Sequence, residues 1–165
     1  MSGEPLFTVD VEDWNHALHI PKNGHTSFRS FLWLVGKLKE YKIEAVFYVL
    51  QKFEEEFPEI PHFLYLGGHQ IYSHGKYHIR GEKSDRQPYA FLGLCGGFWL
   101  RVLPYNMLKS QILKEGQLYV HPHDLDEDHP KLSNPVMNWK RHIGLKTART
   151  KLERLMSEIR WASPF

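Results

Sequence analysis

Residues 45–50 read Ala45-Val46-Phe47-Tyr48-Val49-Leu50, a nearly unbroken apolar run rich in β-favouring side chains. A run of this kind predicts a strand buried on both faces of a parallel sheet. Working outward, residues 26–41 place Phe28, Phe31, Leu32, Val35 and Leu38 at helical spacing behind two plausible N-caps, Thr26 and Ser27. Before that helix, residues 6–11 (LFTVDV) form a short β-favouring stretch that runs into Glu12 and Asp13. On the other side, a second helix is expected within residues 58–66, ending at Gly67-Gly68, and a third strand at residues 70–73. Three strand–helix alternations in the first half predict an α/β fold with parallel strands and right-handed crossovers.

The second half is less regular. Residues 96–97 (Gly-Gly) and Pro104 divide two short apolar pieces, a helix is expected near residues 107–114 and a strand at residues 118–120. Residues 124–138, with Pro130 and Pro135, read as a loop, and residues 147–160 as a closing helix with Leu152, Leu155, Met156 and Ile159 on one face. The length, 165 residues, fits one domain spanning the chain.

Composition limits the function classes. A formal charge of +2 creates no field that implies nucleic acid or anionic lipid as a partner. The single cysteine, Cys95, cannot form an internal disulfide, which fits a reducing compartment. The longest uncharged run, residues 87–100, falls short of the roughly 18 residues of a membrane span, and no export signal opens the sequence. A cytoplasmic location is the resulting expectation. Eleven histidines stand out, because imidazole serves both as metal ligand and as acid or base near neutral pH.

These groups collect where parallel strands end. Asp10, Glu12 and Asp13 close the first strand, His74 and His78 follow the third, and His121, His123 and Asp124 follow the last. In α/β architectures the carboxyl ends of the strands form one rim, so all three groups are expected to meet there. His74 and His78 lie four residues apart, close enough to share one ion if the segment makes a helical turn. With one carboxylate they make a two-histidine, one-acid set suited to a divalent cation that polarises a carbonyl and activates water.

The order FTVDVEDW, GHQIYSHGKYH, CGGFWLRVLPY, LYVHPHDLDEDHP and RHIGLKTARTKLERLM resembles the successive landmarks of polysaccharide deacetylases of carbohydrate esterase family 4. The likeness is nearest to the branch found with bacterial surface and exopolysaccharide synthesis genes. It implies a distorted (β/α) barrel and a divalent ion, often zinc, held by one acid and the two histidines of an H-x-x-x-H motif. By motif, Asp10 resembles the catalytic base, His121 the catalytic acid, and His74 and His78 the metal ligands. The acidic ligand is Asp13 or Glu12: Asp13 has the usual side chain, whereas Glu12 shares a strand face with Asp10. The implied substrate is an N-acetylated saccharide, and Trp14, Tyr77, Trp99 and Trp139 are candidate stacking faces for sugar rings.

The sequence departs from the family pattern between His78 and Gly96, which only 17 residues separate. Relatives carry more barrel strands there, with an arginine motif whose side chain contacts the base. Arg86-Gln87-Pro88-Tyr89 superficially resembles that motif, and Arg101 is a second possible carboxylate partner or substrate contact. An incomplete barrel exposes strand edges, so a homo-oligomer covering the gap through residues 89–100 is a further expectation. The alternatives to a sugar N-deacetylase are a shortened relative that binds metal or saccharide without turnover, and a structural subunit of a larger enzyme.

Overall fold

In the computed structural model the described residues are 3–16, 18–78, 83–85 and 93–165. Four parallel strands form one sheet in the order β3-β2-β1-β4: β1 (Leu6–Val11), β2 (Val46–Val49), β3 (Gln70–Ser73) and β4 (Gln117–Val120). Thr8 lies opposite Val46 and Tyr119, and Val49 opposite Ser73. The sheet does not close among the described residues, so β3 and β4 are both edges of an incomplete barrel. Each strand was anticipated within a residue or two.

Strand alternation gives the sheet two unlike faces. Phe7, Val9, Val11, Phe47, Val49, Leu118 and Val120 are buried in the main core. They are covered by α1 (Phe28–Glu40), α2 (Gln51–Glu56), α3 (Ile60–Leu66), α4 (Phe98–Val102), α5 (Tyr105–Glu115) and α7 (Leu145–Glu158). The alternate set, Thr8, Asp10, Tyr48, Tyr72 and Tyr119, looks into the barrel side. Tyr48 there is only half-buried and stacks on Tyr72 at 5.8 Å, so β2 is covered fully on one face, not on both as its composition suggests.

The helices correct the sequence reading in particular places. In α1 the buried stripe is Phe31, Leu34 and Leu38, while Leu32 is 41% exposed, because the helix is rotated by one position relative to the expected face. The short helix α2 was not anticipated: Gln51-Lys52-Phe53-Glu54-Glu55-Glu56 buries Phe53 alone, too little for a visible periodicity. Within the expected loop at residues 124–138, α6 (Pro135–His142) begins at Asn134, whose side chain accepts from the backbone N–H groups of Val136 and Met137. That N-cap followed by proline is a start signal outweighed by the surrounding polarity.

Two glycines permit close backbone approaches, Gly96 at the β4 edge and Gly144 against α4. Gly96 bridges to Tyr119 in parallel pairing, and a Cβ there would lie 1.8 Å from the Tyr119 carbonyl oxygen. Gly144 has φ +74°, and a Cβ would lie 2.3 Å from the Arg101 carbonyl oxygen. Backbone approaches of this kind exclude any side chain.

Candidate active site

The carboxyl ends of β1, β3 and β4 converge as the sequence suggested. Period-2 alternation sends Asp10 and Glu12 to the same side of β1, and both are buried. His74 continues the β2–β3 ladder, its N–H donating to the Val49 carbonyl at 2.9 Å. The chain then turns at Gly75 (φ +87°), whose carbonyl accepts from Gln51 N–H at 2.9 Å, and His78 has φ +58°. The segment is therefore a bent loop, not the helical turn that the four-residue spacing invited. The two imidazoles still meet, ring centres 5.0 Å apart at 69°.

Glu12, His74 and His78 each offer a ligand atom within 4.8 Å of the others'. Glu12 Oε2 lies 3.4 Å from His78 Nε2, is buried, and has no hydrogen-bond partner among the described residues. A buried carboxylate oxygen left in this state is costly, and a divalent cation between one carboxylate and two imidazoles removes the cost. Burial lifts the Glu12 pKa to about 7, with the Asp10 charge adding to the rise and His121 opposing it. Burial likewise lowers that of His78, as neutral imidazole ligation requires.

Asp10 Oδ2 lies 3.7 Å from His121 Nε2, and Glu12 Oε1 lies 3.9 Å from the same nitrogen. On its other side His121 Nδ1 donates to Asp124 Oδ2 at 2.7 Å. Asp124 Oδ1 faces Arg101 Nε at 3.2 Å, and Arg101 Nη1 donates to the carbonyls of Lys140, Arg141 and Ile143. Burial opposes charge on His121, but the Asp124 hydrogen bond and the charges of Asp124, Asp10 and Glu12 outweigh it and raise its pKa to about 9. Asp124 resists burial in turn: the His121 hydrogen bond and the His121, His123 and Arg101 charges hold its carboxyl well below the usual range. The Asp124 hydrogen bond thus orients the His121 imidazole through Nδ1 and favours its protonated form.

A second group, His121, His123 and Asp124, also brings its ligand atoms within 4.8 Å. It suits a cation less well, because Asp124 already holds the Arg101 guanidinium and His121 Nδ1.

Other sequence candidates lie elsewhere. Asp13 points away from the histidines: its Oδ1 accepts from the N–H groups of Trp14 and Ser27, and its Oδ2 pairs with Lys22 at 3.0 Å. Burial would raise its pKa, but the Ser27 N–H, the Thr26 hydroxyl and Lys22 lower it, as fits a carboxylate that ties the β1 end to α1. Trp14 is 2% exposed, with Nε1 donating to the His25 carbonyl, so it presents no face to a sugar. Tyr77 is exposed, with the Lys52 ammonium 4.8 Å above its ring. Arg101, a candidate carboxylate partner or substrate contact, is buried, and the carboxylate it meets is Asp124. Trp139 is exposed on α6, while Trp99 is half-buried. Arg86-Gln87-Pro88-Tyr89 lies outside the described residues, as does the first part of the proposed covering segment.

A cleft of about 610 Å³ opens over this rim; Glu12, His78, Trp99, His121, Lys140 and Arg141 are among its lining residues. The role of Asp124 as partner of His121 was missed, although its signal was present: a carboxylate three residues after a strand-end histidine can reach back, and Asp124 Oδ2 also accepts from His121 N–H. No helix among the described residues is long and apolar enough to cross a membrane.

Residues 87–164 match the family DUF3473, described as a domain of unknown function. That stretch includes His121, Asp124 and Arg101, while Asp10, Glu12, His74 and His78 precede it. Among solved structures, the chain is similar to the polysaccharide deacetylase Bc1974 from Bacillus cereus at 13% identity and a TM-score of 0.44, covering 98% of this chain and 93% of that one. It is also similar to the Bc1960 peptidoglycan N-acetylglucosamine deacetylase at 15% identity and a TM-score of 0.42, covering 98% and 86%. Both of those proteins are named as deacetylases. No curated protein matches the chain significantly.

Proposed function

We propose that this protein is a metal-dependent hydrolase that removes N-acetyl groups from an amino sugar of a bacterial surface polysaccharide or its precursor. The observation that carries the proposal is the convergence of Glu12, His74 and His78 within ligand distance of one another, beside Asp10 and His121. In this reading Glu12, His74 and His78 hold the divalent ion, zinc being the leading candidate, and Asp13 serves the fold. When bound, the ion supplies Lewis-acid polarisation of the acetamide carbonyl and acidifies water.

The chain's own groups supply the proton transfers. Asp10 is the base that takes the proton from the attacking water. His121, held charged by Asp124, gives a proton to the departing sugar nitrogen. Arg101 keeps Asp124 ionised and anchored, so the imidazole presents Nε2 to the cleft while Nδ1 stays engaged.

The experiment is acetate release from N-acetylated glucosamine oligomers by protein loaded with Zn²⁺ and by chelator-treated protein. The proposal expects release that depends on the metal and is abolished in Asp10→Asn. A second reading, a binder of metal or saccharide without turnover, draws on the 17 residues between His78 and Gly96 and on the unclosed sheet. It expects stoichiometric metal and no acetate from any oligomer.

A further inference from the structure

One side of the cleft carries groups that the hydrolytic step does not use. Lys140 and Arg141 stand at the C-terminal end of α6 and line the same cleft as Glu12, His78 and His121. Their backbone is fastened to the rim, because Arg101 Nη1 donates to the Lys140 carbonyl at 2.9 Å and the Arg141 carbonyl at 2.7 Å. Among the described residues no hydrogen bond or ion pair engages either side chain. Arg141 is half-buried nonetheless, and burial lowers its pKa; Asp124 and Glu12 favour its charge while the neighbouring Arg101 opposes it. A guanidinium held in a cleft with its fork of donors uncommitted is suited to bidentate capture of a carboxylate or phosphate.

We propose that Lys140 and Arg141 form an anion subsite in the catalytic cleft, and that the substrate is an acidic saccharide whose carboxylate or phosphate group lies next to the acetylated amino sugar. The inference rests on the deacetylase reading and adds the substrate's charge to it. An acidic substituent is repelled by Asp10, Glu12 and Asp124 and attracted by Lys140 and Arg141, so the two cations fix which way round the saccharide lies. A neutral oligomer gains no such orientation.

The test compares kcat/KM for acetate release from three probes: a neutral N-acetylglucosamine tetramer, a tetrasaccharide alternating N-acetylglucosamine with glucuronate, and an N-acetylglucosamine oligomer ending in a 1-phosphate. Wild type is expected to favour at least one acidic probe by about tenfold or more over the neutral one, a preference that shrinks as salt is raised. Arg141→Gln and Lys140→Gln each pull that ratio toward one, and Arg141→Lys retains part of it; the exposed Lys140 serves as the second variant should Arg141→Gln unfold. Which acidic probe is preferred identifies carboxylate or phosphate. Equal use of neutral and acidic probes by wild type, or a preference unchanged in both variants, overturns the subsite. If no probe releases acetate, the deacetylase reading fails instead. Calorimetric binding of the same probes then decides the subsite: tighter binding of an acidic probe that is lost in Arg141→Gln supports it, and equal binding of all three rejects it.

Discussion

The two edges of the sheet flank the acids at the end of β1 and carry the two histidine groups of the candidate site, and they are built differently. At the β4 edge the Gly96 bridge covers the strand, and a chain of buried partners runs from His121 through Asp124 to Arg101 and on to the end of α6. At the β3 edge Ile71, Tyr72 and Ser73 are exposed, and the two histidines sit on a loop that needs left-handed backbone at Gly75 and His78. In the proposed reading the proton-handling half is therefore organised by the fold itself, whereas the ligand half would gain much of its order from the ion it binds. Substitutions on the two sides should separate accordingly.

The largest effect is expected on the β3 side of the rim, in function and not in fold. Glu12→Gln or His74→Ala should reduce acetate release by about 10³-fold or more, since the ion is worth several kcal/mol to the transition state. In wild type, Zn²⁺ at a hundred times its Kd should stabilise the protein by about 2.7 kcal/mol in thermal unfolding, and either variant should lose that increment. An undiminished metal-induced rise in Tm in both variants breaks the comparison.

On the β4 side, Asp124→Asn should lower kcat by about 10²- to 10³-fold, within the range of a general acid–base contribution. It should also move the basic limb of the pH–rate profile to lower pH. The sign follows from the proton: His121 must be protonated to donate, its pKa of about 9 keeps it so well above neutrality, and removing the Asp124 carboxylate removes the hydrogen bond and the charge that most strongly support the imidazolium. A bound cation offsets the Glu12 and Asp10 contributions but leaves the Asp124 hydrogen bond in place, so the shift persists in the metal-loaded enzyme. An unmoved limb would show that Asp124 does not act through the imidazole.

A purely structural change at the covered edge sharpens the contrast. Gly96→Ala forces a Cβ into the Tyr119 carbonyl and should cost about 3 kcal/mol, seen as a drop in Tm of about 6–12 °C. The smallest effect concerns His129, which packs against Trp14 and His142. Burial depresses its pKa to about 4, so between about 6.5 and about 4 the unfolded chain binds the proton and the folded one does not. Its contribution to stability is present above that window and lost as pH falls through it. Denaturation midpoints measured from pH 7 to 4.5 should fall less steeply in His129→Asn than in wild type.

Strand β2 was legible as a short apolar run and β1 and β4 as short β-favouring stretches, whereas β3, largely exposed, was legible only as a β-favouring piece following the Gly67-Gly68 break. The convergence of the candidate groups was legible in outline, because acids and histidines placed just after parallel strand ends share a rim. What sequence could not decide was direction. Asp13 and Glu12 are adjacent, and only the pleat, together with the N–H groups of Trp14 and Ser27 that claim Asp13, separates them. The four-residue histidine spacing implied a helical turn, yet Gly75 and His78 bring the rings together by bending the loop. Trp14 was one of four candidate stacking faces for a sugar ring, and tertiary packing buries it. Helix α6 stayed hidden because its buried residues are none and its apolar Val136 and Trp139 remain in solvent.

The central claim is that one cation is caged by Glu12, His74 and His78. Anomalous diffraction at the zinc edge, from crystals grown with Zn²⁺, addresses it directly. The account predicts one strong peak about 2.0–2.2 Å from the Glu12 carboxylate and an imidazole nitrogen of each histidine. A peak seated instead on His121, His123 and Asp124, or on Asp13, or no peak at all at saturating zinc, contradicts it.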